Sequence, residues 1–135
     1  MKLAMQIGYS GGFEDSVAQV QALEKAGMDI VYVAEAYGYD GVSLMGYLAA
    51  KTDTVQIAAG ILPIYTRTPT LLAMTAAGVD ELSKGRCILG LGASGPQVIE
   101  GFHGVPYDAP IGRTREIVEI CRQVWAREEP VVHDG

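Results

Sequence analysis

The sequence is poor in the residues that most often carry chemistry or span bilayers. In 135 residues there are two cysteines, two histidines, one tryptophan and two phenylalanines. No window of roughly 18 residues is continuously apolar, so nothing reads as a membrane span. Cys87 falls in a strand pattern and Cys121 in a helix pattern. Both read as free core thiols of a cytoplasmic protein, not as a disulfide or metal pair. The ten Lys and Arg residues are scattered through a chain of net charge -6 and pI about 4.8. With no basic surface evident, neither a nucleic acid nor an anionic membrane is an expected partner. Metal-ligand spacing, a Ser-His-Asp arrangement in recognisable context and a P-loop are all missing. The opening Met1–Gly8 is apolar but short and lacks a small-residue cleavage site, so it reads as a strand, not a signal peptide.

What is present is a core and its joints. Hydrophobic residues make up 49% of the chain, enough for one globular core. The 17 glycines fall at the expected ends of strands and helices, as in a βα fold. Leu3–Tyr9 reads as a first strand, followed by a Ser10-Gly11-Gly12 loop. Phe13, Val17, Val20, Leu23 and Ala26 recur at helical spacing, and Gly27 supplies a left-handed stop. Asp29–Glu35 is a nearly continuous apolar run ending on a carboxylate, which suits a parallel strand covered on both faces. A loop rich in glycine and tyrosine follows, then a helix over about Val42–Lys51. Val55–Ile61 reads as the third strand. Thr68 can cap the next helix with Pro69 at its first position. Leu71, Leu72, Met74, Ala76, Val79 and Leu82 are the expected buried face of that helix, and Gly85 its end. Cys87–Gly92 is the fourth strand. A long punctuated loop then runs from Ala93 to about Pro110. Ile117, Ile120, Cys121, Val124 and Trp125 mark a helix over about Arg113–Arg127, broken by Pro130. Val131–Gly135 reads as the start of a further strand.

Four βα units in succession imply a parallel sheet with right-handed crossovers. Two architectures satisfy that order: an open doubly wound sheet, or half of an eight-unit barrel, which in full needs about 250 residues. Either way, ligands collect at the carboxyl ends of the strands. The stretch from Ile57 to Pro69 stands out there. It begins as a buried strand, passes through Gly60, stays apolar through Ile61-Leu62-Pro63-Ile64, and ends at the Thr68-Pro69 helix start. It reads as the wall of a site for a flat ring.

Several segments together resemble a known family. They are Val33-Ala34-Glu35-Ala36, Ala59-Gly60-Ile61-Leu62-Pro63, Arg67-Thr68-Pro69, Asp80–Arg86, Leu89–Val98 and Arg113-Thr114-Arg115-Glu116 with Val124-Trp125. The chain resembles the bacterial-luciferase-like superfamily, and within it the deazaflavin-dependent oxidoreductases that use coenzyme F-420. The resemblance covers residues 1–135 and only the amino-terminal half of the family's barrel. It implies a TIM-type (β/α)8 barrel of which this chain supplies the first four βα units. It also implies a non-proline cis peptide, here Gly60-Ile61, whose bulge supports one face of the cofactor ring. Glu35 would meet the ring's polar edge, Gly92, Ala93 and Ser94 would let the backbone approach it, and Gln97 would donate to a ring carbonyl. FMN is the alternative cofactor. The implied activity is hydride transfer or monooxygenation on a small organic substrate, in a homo-oligomer. In some relatives a histidine follows the strand-two acid and others place a glutamate in the strand-four loop. Here Ala36 and Ala-Ser-Gly-Pro-Gln stand instead, so no general acid or base is assigned.

Bland and rival readings accompany each of these residues. Gly60 also suits a plain strand end, Glu35 a solvated loop, and Ser94 and Gln97 ordinary turns. Arg67 reads as a loop anchor or the partner of an acid. His103 is a lone loop histidine, and Tyr37 and Tyr39 could roof a pocket or cover the rim. Gly90-x-Gly92-x-x-Gly95 matches a dinucleotide fingerprint, although Pro96 follows at once and Glu116 falls in a helix pattern. A half barrel with open edges could instead pair with itself and bind no cofactor tightly.

Overall fold

A computed structural model of the chain describes residues 1–8 and 12–135. The expected extension of the first strand to Tyr9, and Ser10-Gly11 after it, lie outside the described residues. The elements run β1 (Ala4–Gln6), α1 (Phe13–Lys25), β2 (Ile30–Ala34), α2 (Gly41–Lys51), β3 (Gln56–Pro63), α3 (Pro69–Ser83), β4 (Cys87–Ile88), β5 (Leu91–Gly92), α4 (Pro96–Ile99) and α5 (Pro110–Ala126). The strands are parallel in the order β1-β2-β3-β4, with β5 also on β3. This is the alternating βα architecture of a half barrel. Val131–Gly135, expected to begin a strand, has no regular structure.

The helix punctuation acts as the residue types dictate. Gly27 and Gly85 take φ of +93° and +84° at helix ends. The Thr68 hydroxyl accepts from the Leu71 amide at 3.2 Å with Pro69 behind it, and Asp40 accepts from the Ser43 amide at 2.9 Å. The buried face of α3 differs from expectation. Leu72, Ala73, Ala76, Val79 and Ser83 are buried, while Leu71, Met74 and Leu82 are exposed. The true stripe is 72, 76, 79, 83, about 100° round the helix from 71, 74 and 82. Apolar residues occupy both, and only packing against α2 and α5 selects one.

One face of the sheet makes the core. Val31, Val33, Ile57, Ala59, Leu62 and Ile64 are buried with Leu44, Met45 and Leu48 of α2, Leu72 and Ala73 of α3, and Ile117 and Cys121 of α5. On the other face, Ile30, Tyr32, Ala34 and Gly60 remain half-buried, and Ile61 is 39% exposed.

β3 carries one residue more than either neighbour. Val33 and Ala34 of β2 are consecutive, yet they pair with Ala59 and Ile61. Against the other neighbours, Ala58 pairs with Ile88 but Leu62 with Leu91, so four steps in β3 match three across from it. The surplus residue is Gly60, and the irregularity is a β-bulge. It also divides the expected Cys87–Gly92 strand into β4 and β5. The ladder resumes past the break, with the Leu62 amide on the Gly90 carbonyl at 2.9 Å and the Ile64 amide on that of Gly92 at 3.0 Å. The expected cis peptide is corrected: Gly60-Ile61 is trans, and no cis bond occurs among the described residues. The extra residue is absorbed by the shift of register between strands. Gly90 faces the bulge so closely that a Cβ there would lie 2.0 Å from the Ala59 carbonyl oxygen.

At the amino ends of the strands, two charged side chains tie the connections together. Glu24 Oε1 accepts from the amides of Asp53, Thr54 and Val55 at 3.0, 2.6 and 2.8 Å. Arg86 spends all five N–H groups: Nε on Ser83 O, Nη1 on Thr52 Oγ1 and Val55 O, and Nη2 on Ala49 O and Thr52 O, at 2.7–3.2 Å. Among the described residues, no helix is long and apolar enough to cross a membrane.

Three outcomes test this account. Gly90→Ala is expected to cost roughly 3 kcal/mol or more in chemical denaturation, whereas Gly78→Ala, in open space on α3, adds about 0.5–1 kcal/mol. Arg86→Lys keeps the charge but strands several acceptors, and a loss of roughly 2–4 kcal/mol is expected by the same measurement. Burial acts to raise the Glu24 carboxyl, but the Val55, Thr54 and Asp53 amides outweigh it and hold it below 4.5. A depressed folded-state pKa stabilises above the unfolded value, and that contribution fades as pH falls through the folded one. Glu24→Gln should therefore lower stability at neutral pH and flatten its decline below about pH 4.5.

Candidate functional site

The loops at the carboxyl ends of β2, β3 and β5 build one rim. Glu35 directly follows β2 and Arg67 closes the loop after β3. They form an end-on fork, with Nη1 to Oε1 at 2.6 Å and Nη2 to Oε2 at 2.9 Å. The side chains are 9% and 14% exposed, respectively. Oε2 also accepts from the Gly41 amide at 2.5 Å, the first residue of α2. Glu35 is therefore not the solvated loop carboxylate of the bland reading. Both of its oxygens are engaged inside the rim, and Arg67 anchors the loop by meeting an acid, as its sequence context suggested. Beside them, the Ser43 amide first, and then the Arg67 charge, hold the Asp40 carboxyl below its usual range.

Gly60, Ile61 and Gly92 come together across the β3–β5 step. A Cβ on Gly92 would lie 3.0 Å from the Ile61 side chain, so glycine is what leaves this surface flat. Ala93 is half-buried. Ser94 is exposed at φ +56°, a left-handed turn that presents its backbone. Gln97 is exposed on the short α4, whose amino end is Gly95. The result is an exposed apolar side chain pushed outward by a bulge, next to a strand-end glycine. Glu35 belongs to a different patch, because the groove it lines does not include Gly60, Ile61 or Gly92.

A clasp that was not legible in the sequence fixes the loop carrying Ser94. The Tyr107 hydroxyl lies 3.4 Å from the Ser94 carbonyl, and the Tyr107 amide donates to Glu100 Oε1 at 3.0 Å. The Tyr65 hydroxyl donates to the Asp108 carbonyl at 2.5 Å, and its ring lies 5.1 Å from that of Tyr107. Arg113 holds Asp108 at 2.8 Å and stands 5.5 Å over the Tyr65 ring. The only signal available was aromatic residues at loop positions, which does not say where they meet.

Two grooves open on either side of Thr66-Arg67. One, of about 400 Å³, is lined by Glu35, Tyr39, Asp40, Arg67, Leu71, Phe102 and His103. The other, of about 600 Å³, runs along Tyr65, Thr68, Asp108, Arg113 and Glu116 to His133. Tyr37 meets Phe102 edge-on at 5.5 Å, so the loop after β5 reaches over the loop after β2. Cys87 and Cys121 are free. Burial pushes both thiols up, Cys87 to about 11, which keeps them protonated at neutral pH.

The dinucleotide fingerprint does not survive the geometry. Gly95 opens a helix of four residues, too short to present a phosphate site, and Glu116 lies within α5. Gly90 and Gly92 serve close packing against β3.

Comparison with known proteins agrees with the architecture. The family model for luciferase-like monooxygenase matches residues 1–135. A Mycobacterium tuberculosis protein, whose name proposes a coenzyme F-420-dependent oxidoreductase, is 45% identical over the whole chain, which spans 40% of its length. The F-420-dependent tetrahydromethanopterin reductase of Methanopyrus kandleri superposes with a TM-score of 0.86 at 21% identity, over 99% of this chain and 42% of its own. The oxygenating constituent of 3,6-diketocamphane monooxygenase from Pseudomonas putida, solved with FMN, gives 0.84 at 19% identity, over 100% and 43%. Those two solved structures share the fold, and the chain spans about two fifths of the length of each protein named. The βα order and the match of the family model along the full chain lead to one assignment: this chain belongs to the luciferase-like monooxygenase family.

Proposed function

We propose that the chain forms the amino-terminal half of the active site of a deazaflavin-dependent oxidoreductase acting on a small organic substrate. The observation that carries this reading is the bulge at Gly60, which turns Ile61 outward beside Gly92 at the carboxyl end of the sheet. Ile61 and Gly92 would lie under the ring, and Ala93 and Ser94 along its edge. Gln97 is the nearest side-chain amide in sequence to that turn and would serve a ring carbonyl. A bound deazaflavin supplies hydride transfer there, and FMN would supply oxygen chemistry instead. The bulge needs no cis peptide for this role, since the register shift alone re-aims Ile61.

Coenzyme F-420 is favoured over FMN by the 45% identical relative, whose name carries that cofactor, against 19% for the FMN complex. The residues of this chain would flatten, shield and orient the ring. Glu35 acts behind them: by holding Arg67 and the first amide of α2, it fixes the loops on either side of the substrate approach.

Titration of the chain with F-420 and with FMN, followed by the fluorescence of each, tests the reading. F-420 is expected to bind the more tightly, and Gly92→Val to weaken it by roughly tenfold or more with unchanged circular dichroism. Binding of neither cofactor, or equal affinity of the Gly92→Val variant, would overturn it.

A further inference from the structure

Arg67, which lines the groove of about 400 Å³, has two N–H donors without a partner among the described residues. Glu35 takes one N–H from each terminal nitrogen of Arg67, and the Thr66 hydroxyl lies 3.4 Å from Nη1. Nη1 stands on the Cδ side of a guanidinium. The Nε–H and the second N–H of Nη2 therefore share the opposite edge, and neither has a partner among the described residues. Such an edge meets two oxygens of one group in parallel, or converges with both N–H groups on the two lone pairs of a single carbonyl oxygen. Because Glu35 fixes the other edge, the free one is held in place before any ligand arrives.

The walls define what accompanies that oxygen. Tyr39, Phe102 and Leu71 supply rings and an aliphatic side chain from three different segments, and Phe102 and Leu71 are about half exposed. Exposed apolar groups around a concave site accept a planar apolar body. The charges define its sign. Among the described residues, Glu35 and Asp40 both line the groove, against one permanent cation, Arg67, which Glu35 already pairs. An anionic ligand would meet this lining at a cost, whereas a neutral carbonyl oxygen would not.

We propose that this groove binds a neutral, planar, carbonyl-bearing compound, with its oxygen on the free edge of Arg67 and its ring between Phe102, Tyr39 and Leu71. That the bound compound is the substrate rests on the reading in the preceding subsection; the binding itself does not. The adjoining groove of about 600 Å³, which Arg67 also lines, is a poorer candidate, because charged Asp108, Arg113 and Glu116 stand among its walls.

A matched pair of probes tests this without any cofactor present: 2-naphthamide and 2-naphthoate, titrated into the chain and followed by naphthyl fluorescence anisotropy. The amide is expected to bind roughly tenfold more tightly than the carboxylate. Phe102→Ala, at an exposed position, should weaken the amide about fivefold or more with unchanged circular dichroism, and Arg67→Lys about tenfold. Absence of amide binding, equal or tighter binding of the carboxylate, or a Phe102→Ala variant with unaltered affinity would overturn the proposal. Should Arg67→Lys fail to fold, the probe pair and the Phe102 variant still decide it. F-420 titration reports separately on the surface at Ile61 and Gly92, so failure of either reading is told apart from failure of the other.

Discussion

A strand that holds one residue more than its neighbours has to put that residue somewhere. In β3 the surplus falls at Gly60, and the rest of the rim follows from it. On one side, Val33 and Ala34 step past the bulge. On the other, the ladder breaks between Ile88 and Leu91 and then resumes. The backbone of Gly90 comes so close to the Ala59 carbonyl that no side chain fits. Beyond the bulge, Leu62 and Ile64 return to the core, and Ile61 is left exposed on the other face. A single insertion thus produces an outward apolar residue at the carboxyl end of the sheet without disturbing its packed side.

The two ends of the sheet are braced differently. At the amino ends, Glu24 and Arg86 satisfy backbone groups of connections that have no regular partner. These bonds join segments about 30 residues apart, so they fix how successive βα units sit on one another. At the carboxyl ends, the braces link side chains of neighbouring loops: Glu35 to Arg67, Tyr65 to Tyr107 and Asp108, Tyr37 to Phe102. A largely buried ion pair contributes little net stability, because desolvation offsets the attraction. Its value at Glu35–Arg67 is geometric: it holds two loops and the start of α2 in a single arrangement. The amino-end braces hold the connections between βα units, and the carboxyl-end braces fix the loops of the rim against one another.

Much of the fold was legible in the sequence because its signals are local. The continuous apolar run of β2 states that it is a parallel strand. Thr68-Pro69 and Gly27 act through their own backbone angles and hydrogen bonds, so they mark helix ends wherever they stand. The α3 face was not legible, because apolar residues line two adjacent stripes and local periodicity cannot choose between them. At the site, Gly60, Ile61 and Gly92 were legible as neighbours at the carboxyl ends of the strands. The trans geometry of Gly60-Ile61 was not, because a residue count within one strand says nothing about how its neighbours pair.

By itself, the sequence determined the order of βα units, the helix caps, the free state of both cysteines and the family to which the chain belongs. These depend on residue type, short-range spacing and net charge, all of which survive in an unfolded chain. The tertiary structure alone decided which stripe of α3 is buried, that β3 bulges against both neighbours, and that Glu35 spends itself on Arg67 and the start of α2. It alone brought Phe102 over the loop after β2 and left one edge of Arg67 without a partner among the described residues. Each of those outcomes is a relation between segments distant in sequence. Its energy exists only once the strands have chosen their register and the loops have met.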